Sequence, residues 1–419
     1  MNVINKKNLS LFILPIIFLF FGIVLIYATT EQEQHINSSF WEVQSIDTMK
    51  NSRDKAREKL DDDGYDKEII KQVQEIAGTG ATHITLGTPY DEEFILYLKR
   101  WVLAARRNNL KVWFRGNLSG WEGWFDYPDV DRETHTEKIK DFILKNPTLF
   151  EDGDIFTSCP ECENGGPGDP RKNGDVNGHR EFLINEYGVV KQAFQDIGKK
   201  VTGNYYSMNG DVAKLIMDPQ TTQKLDGVIT VDHYVVTPKQ LAQDIEMYAS
   251  SSGGKVVLGE WGAPIPDIHG DMSEEEQAAW IEEALRLLIP NKNLVGLNYW
   301  VNEGGSTALW HEGKPQKAVS TITKFMKPNI VRGTIKDEAG RSINDVSVTS
   351  SLRSFTAPGS YVLPLVKNDI VTFGKKGYKN VVLAPTGDGE ETTRNIVMVK
   401  TSKNILDRFL EYIYKFFLS

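Results

Sequence analysis

Cysteine is scarce in this chain: 419 residues contain two, Cys159 and Cys162. A structural zinc site takes about four Cys or His ligands, commonly as two spaced pairs, and no second cysteine pair exists. Three readings of the pair stay open: a local disulfide, two free thiols in a turn, or a metal site completed by other residues. Positive charge is also in short supply, with 48 Lys and Arg against 57 Asp and Glu and a formal net charge of -9. Without a basic stripe, nucleic acid is not an expected partner. No glycine-rich phosphate turn follows the first β-type run, which argues against a doubly wound dinucleotide fold. Nothing in the pattern calls for a metal or an organic cofactor.

Long apolar runs are missing too, with one exception. Lys6 and Lys7 precede an almost uninterrupted apolar stretch of 19 residues, Leu9 to Tyr27. That is close to the ~20 residues that span a hydrocarbon core and longer than the ~7–15 of a signal-peptide core. Ala28-Thr29-Thr30 is a poor small-x-small cleavage site. Residues 1–30 are therefore expected to form an uncleaved signal anchor, a transmembrane segment whose lysine flank stays in the cytoplasm. Everything after it is expected to be extracytoplasmic, with secretion after cleavage as the alternative. Residues 31–39 are polar and read as a spacer.

From residue 40 to 327 a strand-then-helix pattern repeats. Eight short β-type runs stand at Phe40–Ile46, His83–Leu86, Val112–Arg115, Asp154–Cys159, Lys200–Tyr205, Gly227–His233, Lys255–Glu260 and Val295–Trp300. Between them lie amphipathic helical segments. One carries Ile69, Ile70, Val73 and Ile76 on a single face, and the next is expected to start at an Asp91 cap. Thr237-Pro238 and the Ser273-Glu-Glu-Glu276 capping box open two more. Alternation of this kind predicts an α/β fold with a parallel sheet. Eight repeats predict a (β/α)8 TIM barrel, whose chemistry sits at the C-terminal ends of its strands.

After Pro328 the helical period disappears. Short β-branched runs separated by turn signals predict a small all-β sandwich over residues 328–400. Gly333-Thr-Ile-Lys-Asp337, Gly340, Val346-Ser-Val348, Gly359-Ser-Tyr361 and Gly377-Tyr378 resemble the carboxypeptidase-regulatory-like domain, a module without chemistry of its own. Residues 401–419 place Ile405, Phe409, Ile413 and Phe416-Phe417 at helical spacing, an amphipathic helix suited to packing on the body or to lying on a membrane surface.

Two of the barrel runs lead into glutamates. Lys255-Val-Val-Leu-Gly-Glu260 is apolar until its last residue, so Glu260 must face the mouth of the barrel. Asp154-Ile-Phe-Thr-Ser-Cys-Pro-Glu161 ends in Glu161, with Glu163 two residues on as the alternative proton donor. Two facing carboxyl groups, one protonated and one ionised, are what cleavage of a glycosidic bond requires. Arg115 is placed to keep Glu260 ionised. His233 and Tyr234 are expected to orient a carboxylate. Asn117 and Tyr205 are candidate sugar contacts, with Tyr206, Asn164 and Asn204 near them. Trp261 and Trp300 are the leading candidates for platforms under a sugar ring.

Arg115, Glu161, His233-Tyr234, Glu260 and Trp300, in this strand order, resemble the clan A glycoside hydrolases, the group of the cellulase and mannanase barrels, over residues 40–327. The resemblance implies a retaining hydrolase of poly- or oligosaccharides, with Glu161 as acid/base and Glu260 as nucleophile, and no cofactor. It also implies a departure. The family usually carries Asn immediately before the acid/base glutamate, to contact the sugar 2-hydroxyl; here that place holds Pro160. A non-catalytic, glycan-binding cell-surface barrel is the alternative reading.

Overall fold

The computed structural model describes residues 39–384 and 391–401. Among these, Trp41–Lys327 form one compact unit, and the residues from Pro328 onward, with residues 39–40, form another. The expected signal anchor, nearly all of the spacer and the expected C-terminal helix lie outside the described residues. No helix among the described residues is long and apolar enough to cross a membrane.

The first unit is built on eight parallel strands: β1 (Val43–Asp47), β2 (His83–Leu86), β3 (Lys111–Phe114), β4 (Ile155–Phe156), β5 (Ser207–Asn209), β6 (Val228–Asp232), β7 (Lys255–Trp261) and β8 (Leu294–Tyr299). Their order in the sheet is β4-β3-β2-β1-β8-β7-β6-β5. A parallel bridge joins Ile155 of β4 to Thr202, in the segment that leads into β5, and curls the sheet onto itself, with Phe156 N–H donating to the Thr202 carbonyl at 2.8 Å. The fold fits a (β/α)8 barrel. A further hairpin, β9 (Trp310–His311) with β10 (Lys314–Pro315), follows β8.

β4 and β5 are shorter than the sequence predicts, and β5 starts later. The Thr157 hydroxyl, rather than a backbone N–H, donates to the Tyr205 carbonyl at 2.7 Å. The β4–β5 ladder is therefore replaced partly by side chains.

The barrel interior is layered. Val43, Trp113, Ile155, Tyr205 and Val257 fill its lower end, so Tyr205 is a core residue and not the sugar contact expected of it. It packs edge-on to Trp113 with ring centroids 5.5 Å apart. Above them comes a polar layer. Ser45 and Thr85 hydroxyls lie 2.8 Å apart, Thr85 donates to Asn298 Oδ1 at 2.9 Å, and Asn298 Nδ2 donates to Asp47 Oδ2 at 3.1 Å. Polarity thus rises toward the C-terminal ends of the strands.

The helices bury one face each, as their spacing predicts. Asp66–Gly78 buries Ile69, Val73 and Ile76, while Ile70 turns outward at 37% exposure. Ser273 and Glu276 form the reciprocal capping box, and Thr237 caps the helix Pro238–Ser252. Asp91 does not cap its helix. Its carboxylate accepts the Ser119 N–H at 2.8 Å instead and so ties the loop after β2 to the loop after β3.

The second unit has two four-stranded sheets. One joins β11 (Asn329–Asp337), β14 (Ser360–Leu365), β17 (Glu391–Thr393) and β18 (Ile396–Met398). The other joins β12 (Val346–Thr349), β13 (Ser354–Ala357), β15 (Val371–Gly374) and β16 (Val381–Leu383). Both contribute to one core, which includes Val331, Val348, Leu363, Val371, Phe373 and Met398.

Asp154, immediately before β4, is fully buried and accepts from Arg106 Nη1 at 2.8 Å, from Arg106 Nη2, from Val112 N–H at 3.0 Å and from Glu151 N–H at 2.8 Å. Removing one partner of such a pair leaves the other charge uncompensated. Asp154→Ala is expected to destabilise the barrel by about 3–5 kcal/mol. Urea denaturation followed by tryptophan fluorescence checks this, and a change within about 0.5 kcal/mol would contradict it.

Candidate active site

The site is organised by a cation. Arg115 follows β3 and is 2% exposed. Its Nη1 donates to Glu260 Oε1 at 2.5 Å, and its Nη2 donates to Asp232 Oδ2 at 2.5 Å and to Ser207 Oγ at 3.0 Å. Asp47 Oδ2 lies 3.7 Å from Nη1. Asp47, Asp232 and Glu260 end or nearly end β1, β6 and β7, so the curl of the sheet brings them to one guanidinium. Gly259 makes room for this. A Cβ there would meet Asp232 Oδ1 at 2.4 Å and Ser207 Cβ at 2.8 Å.

Three carboxyl groups around one buried cation cannot all ionise cheaply. Burial pushes Asp47 up to about 6, with Arg115 pulling it down and Glu260 adding to the rise. Burial raises Asp232 well above the ordinary carboxylate range, again against Arg115 and with Glu260. For Arg115, burial disfavours its charge, but Asp232, Glu260 and Asp47 outweigh it, and its guanidinium is held firmly protonated.

Glu260 is 8% exposed. Its second oxygen, Oε2, accepts from the Tyr234 hydroxyl at 2.8 Å. His233 does not orient this carboxylate. Its Nε2 lies 2.8 Å from Asp244 Oδ2, and only its backbone N–H reaches the Glu260 carbonyl, at 2.9 Å. His233 and Tyr234 follow the end of β6, and Tyr234 is the one that turns toward the carboxylate.

Glu161 sits in the turn after β4, bracketed by a Cys159–Cys162 disulfide with Cα atoms 5.2 Å apart. Its φ of 45° is left-handed, a region that residues with a side chain seldom occupy. The turn is held from several sides: Glu161 N–H donates to the Ser207 carbonyl at 2.7 Å, Asn164 Nδ2 donates to Glu161 Oε2 at 3.0 Å, and Trp121 Nε1 donates to the Cys162 carbonyl at 3.2 Å. Burial pushes the Glu161 carboxyl up to about 8, with the Glu260 charge next and Arg115 opposing. Glu163 is 3% exposed, and its Oε1 accepts the Asn209 N–H at 2.7 Å, which ties it to the end of β5. Burial raises it as well.

A cleft of about 280 Å³ opens beside Arg115 and Glu161, lined also by Met49, Arg53, Glu122, Trp124, Pro160 and Asn164; Glu260 is not part of its lining. Two larger hollows, of about 520 and 880 Å³, lie on the helical flank and contain none of the groups around Arg115.

Several predicted contacts fall elsewhere. Trp261 is fully buried against Tyr299 and Trp280 and offers no platform. Trp300 is partly exposed and meets the Tyr234 ring edge-on at 6.2 Å. Asn117 is buried, and its amide donates to Glu122 Oε1 at 2.5 Å. Tyr206 is buried under Ser158, and Asn204 donates to the Leu225 carbonyl. Asn164 does reach Glu161. Asp47, Asp232 and Glu122 were missed by sequence reasoning. Asp47 and Asp232 are the last residues of strands β1 and β6, so the rule that singled out Glu260 also applies to them. Among the described residues no group of three or more His, Cys, Asp or Glu is arranged to hold a metal ion.

No family model and no curated protein matches the chain. Solved structures do. A GH5_18 structure from Streptomyces cattleya in complex with GlcNAc is similar at a TM-score of 0.50 and 14% identity, over 72% of this chain and 85% of that one. A GH5_18 variant from Bifidobacterium longum subsp. longum, in complex with Manb1-4GlcNAc, reaches 0.48 and 14%, over 71% and 83%. An FMN-binding beta-glucuronidase from Facaelibacterium prausnitzii L2-6 reaches 0.46 and 11%, over 78% of this chain. This chain spans about half of that protein's length, 53%. Likeness at such identity concerns the barrel fold alone.

The raised Glu161 carboxyl has a consequence for stability. An unfolded glutamate releases its proton near 4.5, and the folded one near 8. Between these values the folded chain holds more protons, so stability falls as pH rises. Glu161→Gln is expected to flatten that fall and to gain stability relative to wild type at pH 8. Denaturant midpoints at pH 5 and 8 check it, and an unchanged slope would contradict the shift.

Proposed function

We propose that this protein is a retaining glycoside hydrolase in which Glu161 is the acid/base and Glu260 the nucleophile. One observation carries the reading: Arg115 and Tyr234 satisfy both oxygens of Glu260, while the Glu161 carboxyl, whose rise owes part to the Glu260 charge, holds its proton up to about pH 8. A carboxylate organised by a guanidinium and a protonated carboxyl at the same strand ends are the two states double displacement needs.

In this reading the Glu161 carboxyl protonates the departing glycosidic oxygen as Glu260 attacks the anomeric carbon and forms a glycosyl ester. Glu161, now ionised, takes a proton from water. The resulting oxygen nucleophile attacks the same carbon, releases Glu260 as a carboxylate and leaves Glu161 protonated. Burial of both groups keeps the electrostatic interactions strong. Glu163, tied to the Asn209 N–H, supports the turn, and the substrate is an oligo- or polysaccharide lying in the cleft.

The finer parts of the reading rest on sequence. The apolar run before Tyr27 supports an anchor that holds the barrel outside the cytoplasmic membrane. The β-sandwich, read as carboxypeptidase-regulatory-like, acts as a spacer or stabiliser, and the C-terminal segment either packs on the body or lies on the membrane surface.

Glu161→Gln is expected to lower kcat/KM on a cleaved glycan by roughly 10²–10⁴-fold, and Glu260→Gln to abolish turnover. Wild-type kcat/KM should decline above pH ~8 as Glu161 loses its proton. Product anomers followed by proton NMR should show retention, and initial release of the inverted anomer would overturn the mechanism. A Cys159→Ser/Cys162→Ser chain should stay folded and lose activity through kcat more than KM, because the bracket around Glu161 has been loosened. Unchanged kcat would show that the bracket does not position the acid.

A further inference from the structure

Glu122 takes no part in the chemistry above, yet it lines the same cleft as Glu161. It ends a four-residue helix, Ser119–Glu122, in the loop after β3. One of its oxygens is committed: Oε1 accepts from Asn117 Nδ2 at 2.5 Å. No partner for the other stands among the described residues.

What holds Glu122 is a buried polar chain. The Leu118 N–H donates to Asn117 Oδ1 at 2.8 Å. A backbone N–H can only donate, so this contact sets the amide orientation and turns Nδ2 to Glu122. His135 Nε2 lies 2.7 Å from the same Asn117 Oδ1. That oxygen accepts only, so Nε2 carries a proton. His135 Nδ1 lies 2.6 Å from Glu186 Oε2, which also accepts from the Thr136 hydroxyl at 3.2 Å. Asn117, His135 and Glu186 are each fully buried. The His135 ring packs edge-on against both Trp121, at 4.6 Å, and Phe182, at 5.7 Å.

A buried polar chain of this kind costs stability relative to apolar packing unless its members are fixed and paired. Here it ends in a single carboxyl group that faces the cleft. The charged groups facing Glu122 are Arg53, Arg115, Glu161 and Glu163, with the Arg53 guanidinium 4.8 Å over the Trp124 ring. Burial pushes Glu122 up to about 7, while Asn117 and Arg53 pull it down. Near neutral pH the free oxygen therefore serves as either donor or acceptor, which is the complement of a hydroxyl group.

We propose that Glu122 is a substrate-contacting residue, held through Asn117 and His135 by buried Glu186, whose free carboxyl oxygen hydrogen-bonds a hydroxyl of the sugar bound beside Glu161. The inference rests on the glycan reading above and adds a specificity-determining group to it. No covalent step is involved.

The test uses the full chain and three defined probes, cellotetraose, mannotetraose and xylotetraose, with hydrolysis and binding measured for each. On a cleaved probe, Glu122→Ala is expected to lower kcat/KM roughly 10- to 100-fold. Glu122→Gln should recover part of this, because an amide still donates and accepts. Asn117→Ala should weaken wild type but cost less than about twofold once Glu122 is alanine, since its effect passes through that side chain. If Glu122→Ala leaves kcat/KM within about twofold, or if Asn117→Ala costs the same in both backgrounds, the inference is overturned while the hydrolase reading stands. If wild type binds a probe without cleaving it, the same comparisons made on Kd decide the inference, and only the hydrolytic reading falls. A wild-type chain that neither binds nor cleaves any of the three overturns both.

Discussion

A single guanidinium organises the mouth of this barrel. Arg115 receives Glu260 from β7, Asp232 from β6 and, at longer range, Asp47 from β1. Each carboxyl would be costly to bury alone. Together they hold the strand ends in register and keep the cation in place. The outcome is a set of raised proton affinities: burial drives Asp47, Asp232 and Glu161 upward, and the Glu260 charge adds to each rise. These raised affinities follow from the shared geometry rather than from any one residue.

The loops after β3 and β4 behave as one body. Trp121 stacks on Phe182 at 5.1 Å, donates to the Cys162 carbonyl and accepts the Gly166 N–H on its own carbonyl at 2.9 Å. A Cβ at Gly165 would meet the Trp121 carbonyl at 2.1 Å, so the approach needs glycine there. Asn117 touches Cys159 Sγ at 3.6 Å on one side and Glu122 on the other. Glu161 in its left-handed turn and Glu122 on its short helix are therefore positioned by a shared set of contacts. Backbone strain of the kind seen at Glu161 persists only where surrounding contacts over-determine it, and these do.

Much of this was legible in the amino-acid order. The alternation of β-type runs with amphipathic segments corresponds to the eight parallel strands, and Ser273 and Thr237 mark helix starts where the structure has them. Glu260 was legible because a carboxylate that closes an apolar run must find water or a partner at the strand end. The misreadings share a cause. Tyr205, Trp261 and His233 are amphipathic side chains near strand ends, and composition does not say whether such a group faces the barrel interior, the helical layer or the cleft. At the β4–β5 seam the backbone bonds are few, and the Thr157 hydroxyl takes the Tyr205 carbonyl, so the strand boundaries differ from those expected.

Local pattern alone determined the layered architecture, the helix starts and the placement of Glu260 and Arg115 at strand ends and of Glu161 in the turn after β4, since period and capping are properties of neighbouring residues. Partnership was decided only by the closed sheet. Which carboxyl groups share Arg115, which tyrosine meets Glu260, and how Glu186 supports Glu122 at a distance all depend on residues brought together from separate strands and loops. Proton affinities follow the same rule, because burial and the neighbouring charges that set them exist only once the chain has folded.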